Sequence, residues 1–254
     1  MKTMKNYKGL VCSVLALALA ACGGGGGGGS TPVTNATAAG VWHGTSSTGY
    51  AADLIVLPNN QFATVFGTPA GGNGLLVYGF DTGSGTINGN SLTASINAYG
   101  VTGLSATGSV SATVATGSSI VGSIAYSTGV TTTFNLVPLA GYNYNTPASL
   151  STISGTWNGT LLSGGTVTST VTVNSSTGAV SGITSSGCTF TGMITPQGAV
   201  NAYTGTITVG GSPCANPGVT ASGIAVAYPT TTGTTQLILE VTSGSFGAMF
   251  FAQR

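Results

Sequence analysis

The chain has 254 residues, of which 41% are apolar and only 3% charged. Beyond Lys2, Lys5 and Lys8 its one basic side chain of the Lys/Arg type is Arg254, set against Asp53, Asp81 and Glu240, and its one histidine is His43. So few charges argue against nucleic-acid binding, which needs a basic footprint, and against a polybasic membrane patch. The apolar content argues against ordinary intrinsic disorder.

The N-terminus has the three parts of a secretory signal. Lys2, Lys5 and Lys8 precede an almost wholly apolar run over residues 10–21, too short for a permanent membrane span. The run ends in Leu19-Ala20-Ala21-Cys22, which resembles the bacterial lipobox. The resemblance implies a signal peptide over residues 1–21, cleavage before Cys22, and acylation of Cys22. Acyl chains hold a protein by burying methylenes, at about 0.8 kcal/mol each. Gly23 rather than Asp follows the cysteine, which under the enteric sorting rule implies the outer membrane. Residues 23–29 are all glycine, a stretch with maximal backbone freedom and nothing to pack. Residues 22–39 are therefore expected to form a tether.

From residue 40 onward the hydrophobic period is two, the signature of β-strands. Val167, Val171 and Val173 share one face, with Thr166, Thr168, Thr170 and Thr172 on the other. Ala106, Gly108, Val110, Ala112 and Val114 alternate with polar residues in the same way. Pro58-Asn59-Asn60, Asn88-Gly89-Asn90, Thr177-Gly178 and Thr232-Gly233 supply turn chemistry between such runs.

The chain repeats itself. Gly40-Val41-Trp42-His43-Gly44-Thr45 returns 115 residues later as Gly155-Thr156-Trp157-Asn158-Gly159-Thr160. These copies hold the two tryptophans, which are expected to plug two cores. The organisation that follows is a first β domain over 40–139, a linker over 140–154 and a second β domain over 155–254. Each has room for about eight strands and turns. The expected class is all-β: two similar antiparallel meanders, each a small barrel or a sandwich. The Gly-x-Trp-x-Gly-Thr opening resembles the first strand of the calycin barrels, the avidins and lipocalins. An acylated cysteine, a glycine run and two β lobes resemble the transferrin-binding-protein-B class of surface lipoproteins. Those resemblances imply binding of a ligand or a host protein, and no ligand-contacting residue carries over.

Of the four cysteines, Cys12 belongs to the signal and Cys22 to the lipid. Cys188 and Cys214 remain, and in an oxidising compartment they are expected to form a disulfide. A metal site would need further ligands that these two cysteines lack nearby.

Catalytic chemistry has few carriers. A serine hydrolase needs a histidine base and an orienting carboxylate, and no Gly-x-Ser-x-Gly elbow is present. His43 reads as a strand histidine facing solvent or a hydrogen bond. Asp53 opens a strand. Asp81 reads as a turn residue beside Gly83 and Gly85, and Glu240 as a side chain pointing outward after the apolar run Leu237-Ile238-Leu239. No cofactor is expected. The sequence therefore favours a non-catalytic binding module anchored to the outer membrane, its partner a small molecule, a glycan or a protein. A structural or adhesive envelope lipoprotein is the second reading, and a hydrolase the third. A roomy internal cavity would favour the first, and a filled core the second.

Overall fold

The computed structural model describes residues 34–69 and 75–254. The expected signal peptide, Cys22 and the glycine run lie outside them. Among the described residues sixteen strands form two closed antiparallel barrels. The first runs through β1 (Gly40–Ser46), β2 (Ala51–Val56), β3 (Gln61–Pro69), β4 (Leu75–Asn88), β5 (Ser91–Gly100), β6 (Gly103–Ala115), β7 (Ser119–Tyr126) and β8 (Thr131–Pro138). A four-residue helix, α1 (Leu150–Ile153), leads into the second. That barrel runs through β9 (Gly155–Leu162), β10 (Thr166–Val173), β11 (Ala179–Thr184), β12 (Thr189–Pro196), β13 (Tyr203–Val209), β14 (Thr220–Pro229), β15 (Thr235–Ser243) and β16 (Phe246–Gln253).

Within each barrel every strand pairs with the next, and β8 returns to β1 as β16 returns to β9. Barrel closure leaves no free edge for another chain to extend. The turn signals are used as turns. Asn60, Gly89, Gly178 and Gly233 all sit at positive φ, at 62°, 61°, 74° and 85°, which Gly tolerates freely and Asn better than most side chains.

The repeated motif closes one end of each barrel. Trp42 and Trp157 point inward and are almost wholly buried. Each indole N–H donates to the carbonyl four residues earlier, Trp42 to Ala38 and Trp157 to Ile153, both at 2.8 Å. The glycine two places on allows the closing strand to cross. A Cβ on Gly44 would fall on the Asn135 carbonyl of β8, and one on Gly159 on the Phe251 carbonyl of β16. The motif is thus a plug and a seam built twice.

Residues 34–39, expected to belong to the tether, are packed on the first barrel. Ala38 is buried and Ala36 packs on the first core. The Asn35 side chain accepts from Gly89 N–H at 2.8 Å, Ala36 N–H donates to the Gly89 carbonyl at 2.7 Å, and Thr37 N–H donates to Thr116 Oγ1 at 3.0 Å. Residues 34–39 seal the closed end of the first barrel because their polar backbone finds partners on its turns. The expected linker is likewise packed. Within it α1 seals the second barrel, where the Tyr203 hydroxyl donates to the Ser149 carbonyl at 2.7 Å. Arg254 lies over the Trp157 ring at 3.8 Å and donates to the carbonyls of Ser154 and Thr152.

The barrels share a core. Outward-facing Ile55, Val65, Val77, Phe80 and Tyr99 of β2–β5 cluster with Leu162, Ile224, Val226, Ile238 and Met249 of the second barrel. Phe80 and Tyr99 stack with centroids 5.0 Å apart. The Tyr99 hydroxyl donates across to the Gly244 carbonyl at 2.9 Å. From the connecting segment, the Tyr144 hydroxyl donates to the Val56 carbonyl at 2.7 Å. Strands with both faces covered lose their alternation, which is why every residue of β2 is buried and why Leu237-Ile238-Leu239 is continuous. Cys188 and Cys214 are bonded, as expected from the sequence, and tie the β11–β12 turn to the loop before β14.

Candidate functional site

The first barrel is hollow. A cavity of about 360 Å³ extends from buried Ala38 at the closed end to the turns around Thr48 and Thr128 at the other. Its deeper wall is apolar, formed by Leu54, Leu92, Ile96, Val110, Ile120 and Leu136. Toward the mouth Ser46, Thr48, Ser105, Thr128 and Thr132 contribute hydroxyls, and Tyr50 and Phe66 contribute rings 6.4 Å apart. The room comes from small inward-facing side chains. Ala98 and Ala106, paired across β5 and β6, line the lumen with little bulk. The Ala106-to-Val114 alternation was legible in the sequence as an inward face, but its small members also mark a void.

The second barrel is fuller. Trp157, Phe190, Tyr203 and Phe250 occupy its interior, and Phe190 lies so close over Gly182 that a Cβ there would strike the ring. A smaller hollow of about 250 Å³ remains at its far end, beside the disulfide.

Asp81 stands inside the first cavity, which corrects its reading as a turn residue. It belongs to the middle of β4, opposite Thr64 of β3 in register, so both side chains point inward. The Tyr126 hydroxyl donates to Asp81 Oδ2 at 2.9 Å. Because β5 and β6 separate β4 from β7, this bond spans the lumen. Asp81 Oδ1 is buried with no hydrogen-bond partner within the described residues. Burial pushes the Asp81 carboxyl up to about 7, against a smaller opposite effect of the Tyr126 bond. Burial chiefly, with the Asp81 charge and hydrogen bond adding to it, raises the Tyr126 hydroxyl above its ordinary value.

The other two carboxylates lie between the barrels. Asp53, on the outer face of β2, is fully buried and accepts from His43 Nδ1 at 2.6 Å. Its second oxygen accepts from the Tyr228 hydroxyl of β14. The bond to a carboxylate requires the His43 proton on Nδ1. The hydrogen bond to Asp53 raises the His43 pKa, more than partial burial lowers it. Of the two readings the sequence left open for His43, solvent or a hydrogen bond, the structure has the hydrogen bond, to Asp53. The second copy repeats the pair in muted form: Asn158 faces Thr170 across the same two strands, and the Thr170 hydroxyl donates to Asn158 Oδ1 at 2.9 Å.

Glu240 does point out of its own barrel, but not into solvent. The first barrel covers that face, and the side chain is fully buried with neither oxygen bonded among the described residues. Burial, and then the Asp81 charge, hold its carboxyl well above the usual range. His43 and Asp53 do meet, but on the outside of the first barrel, whereas the cavity is inside. Asp81 and Tyr126 are the pair inside the cavity that the sequence reading missed. The signal available was the inward parity of Asp81 with Gly83 and Gly85, obscured because these residues resemble a glycine-rich turn.

No protein-family model and no curated protein sequence matches the chain. Among solved structures it is similar to the isotype 1 transferrin binding protein B from serogroup B Neisseria meningitidis, at 10% identity and a TM-score of 0.28. That match covers 81% of this chain and 66% of the other, just under two thirds of its length. A likeness of that grade carries no argument, and the two-barrel fold stands on the strand pairing.

Proposed function

We propose that the chain is a lipoprotein anchored to the outer membrane through Cys22, whose first barrel binds a small, largely apolar molecule without transforming it. The observation that carries this reading is the cavity. Small-molecule sites are concave, mostly apolar and upward of about 300 Å³, with a few placed polar groups. The first barrel offers 360 Å³, an apolar depth and one buried carboxyl with its tyrosine. The second barrel, with its aromatic interior, supports the first by covering β2–β5. The anchor rests on the lipobox pattern and the glycine run.

Binding is tested by titrating the mature chain with small neutral aromatic compounds, following the fluorescence of Trp42 at the foot of the cavity. An Ala98→Trp variant, which fills the lumen, should abolish the response while the far-ultraviolet dichroism keeps its β signature. A response that survives this filling would place binding elsewhere. The anchor is tested by fractionation: Cys22→Ala should leave a chain that is no longer acylated, read by loss of metabolic palmitate labelling. Labelling that persists would remove the lipid from Cys22. Protease shaving of intact against lysed cells then decides which side of the membrane carries the barrels.

A further inference from the structure

We infer that the molecule held in the first barrel carries a cationic amine, which pairs with Asp81. This rests on the binding role proposed above. Among the described residues Asp81 is the only charged residue lining the cavity, and its Oδ1 has no partner there while Oδ2 accepts from Tyr126 at 2.9 Å. A buried acceptor left unsatisfied carries the full desolvation penalty of that group, so an occupant that supplies a donor removes the least favourable feature of the cavity.

The choice of an amine over an alcohol follows from charge. Either supplies one hydrogen to Oδ1, but only an ammonium also cancels the carboxylate charge, and charge pairs interact far more strongly in a low-dielectric lumen than in water. A carboxylate ligand would meet Asp81 as a like charge. Ammonium has three donors: one reaches Oδ1, and Thr64, beside Asp81 on the neighbouring strand, offers a hydroxyl acceptor. The apolar remainder of the ligand then lies toward Leu92 and Ile120. Burial holds the Asp81 carboxyl up near 7, and an ammonium beside it would favour the ionised form. Binding at neutral pH therefore releases a proton. Tyr126 across the lumen and Glu240 behind the wall are the titratable groups nearest to this event.

Three probes of one shape test the inference: 2-phenylethylamine, 2-phenylethanol and 3-phenylpropionate. They are titrated calorimetrically into the mature, lipid-anchored chain in nanodiscs, with empty nanodiscs as reference. The amine should bind at least tenfold tighter than the alcohol, and the propionate weakest. Asp81→Asn should bring the amine to the level of the alcohol and leave the alcohol unchanged. In two buffers of different ionisation enthalpy, the amine alone should show proton release. An alcohol that binds as tightly as the amine overturns the inference and leaves the binding role standing, as does an amine preference that survives Asp81→Asn. If none of the three binds, the binding role fails and this inference with it.

Discussion

Three buried carboxyls meet three different environments in one molecule. Asp53 has two donors, Asp81 has one, and Glu240 has none. A buried polar group without a partner costs roughly 1–3 kcal/mol, and an apolar side chain of similar volume at such a site is often stabilising. Glu240→Leu should therefore raise the stability of the chain by about 1–3 kcal/mol at pH 7, measured by urea unfolding. A loss instead would mean that the side chain has a partner there. Asp81 makes the pH dependence explicit. Its carboxyl is held near 7 in the folded chain and titrates near 3.9 when unfolded. Between those values the folded chain binds more protons, so stability is greatest below about pH 4 and falls as pH rises toward 7. The full effect is on the order of 4 kcal/mol. Asp81→Asn should flatten the pH–stability curve in that window, while Glu240 maintains a slope of the same sign. An unchanged curve would show that Asp81 is solvated.

At the scale of elements, the Gly-x-Trp-x-Gly unit does two jobs that sequence alone separates poorly. The tryptophan fills the closed end and satisfies the entering chain through its indole N–H. The second glycine lets the first strand meet the last at the seam. Trp157→Ala should cost about 3–5 kcal/mol, as large-to-small core changes of this size do. Gly159→Val should be at least as damaging, though it adds rather than removes apolar surface, because its side chain would meet β16 backbone. A Gly159→Val chain as stable as the parent in urea would show that the seam has slack. The disulfide acts on the same barrel at its other end. Cys188 and Cys214 are 26 residues apart, and in the chain-entropy description a closed loop of that size is worth about 3–4 kcal/mol. Reduction should lower the unfolding midpoint, read by thermal melting with and without reductant.

At the scale of the whole molecule, the two barrels are joined by a core rather than by a hinge. Strands β2 to β5 and β14 to β16 are covered on both faces, and Asp53 links the two barrels through His43 of one and Tyr228 of the other. The described barrels should therefore unfold in one cooperative transition. Either barrel expressed alone would expose Ile55, Val65 and Phe80, or Ile224, Val226 and Ile238, an apolar patch of the kind that drives association. His43 sets a pH limit on this junction. Its pKa is raised in the folded chain, so its contribution is full below its ordinary value near 6.5 and is lost as pH rises through the higher folded value. His43→Ala should destabilise the chain by about 1.5–3 kcal/mol at pH 6, the range for a hydrogen bond to a charged group, and by less at pH 9. Equal losses at both values would mean that charge on His43 does not matter.

Much of this was legible before any coordinates. Strand period, turn residues and the doubled tryptophan motif depend on neighbours one to four places apart, and local sterics read out directly as two β meanders. The cysteine pairing followed from a count of two in an oxidising compartment, and it is present. Barrel rather than sandwich depended on whether β8 and β16 return to β1 and β9, a contact between residues about a hundred places apart. Parity can tell which way a side chain points but not what waits there. Asp81 points into a hollow, and Glu240 points outward into another barrel. The void itself is a sum over eight strands of small inward residues, visible only when the lumen is assembled. Local chemistry determined the elements, and packing between distant strands decided burial, and with it the raised titration of Asp81 and Glu240.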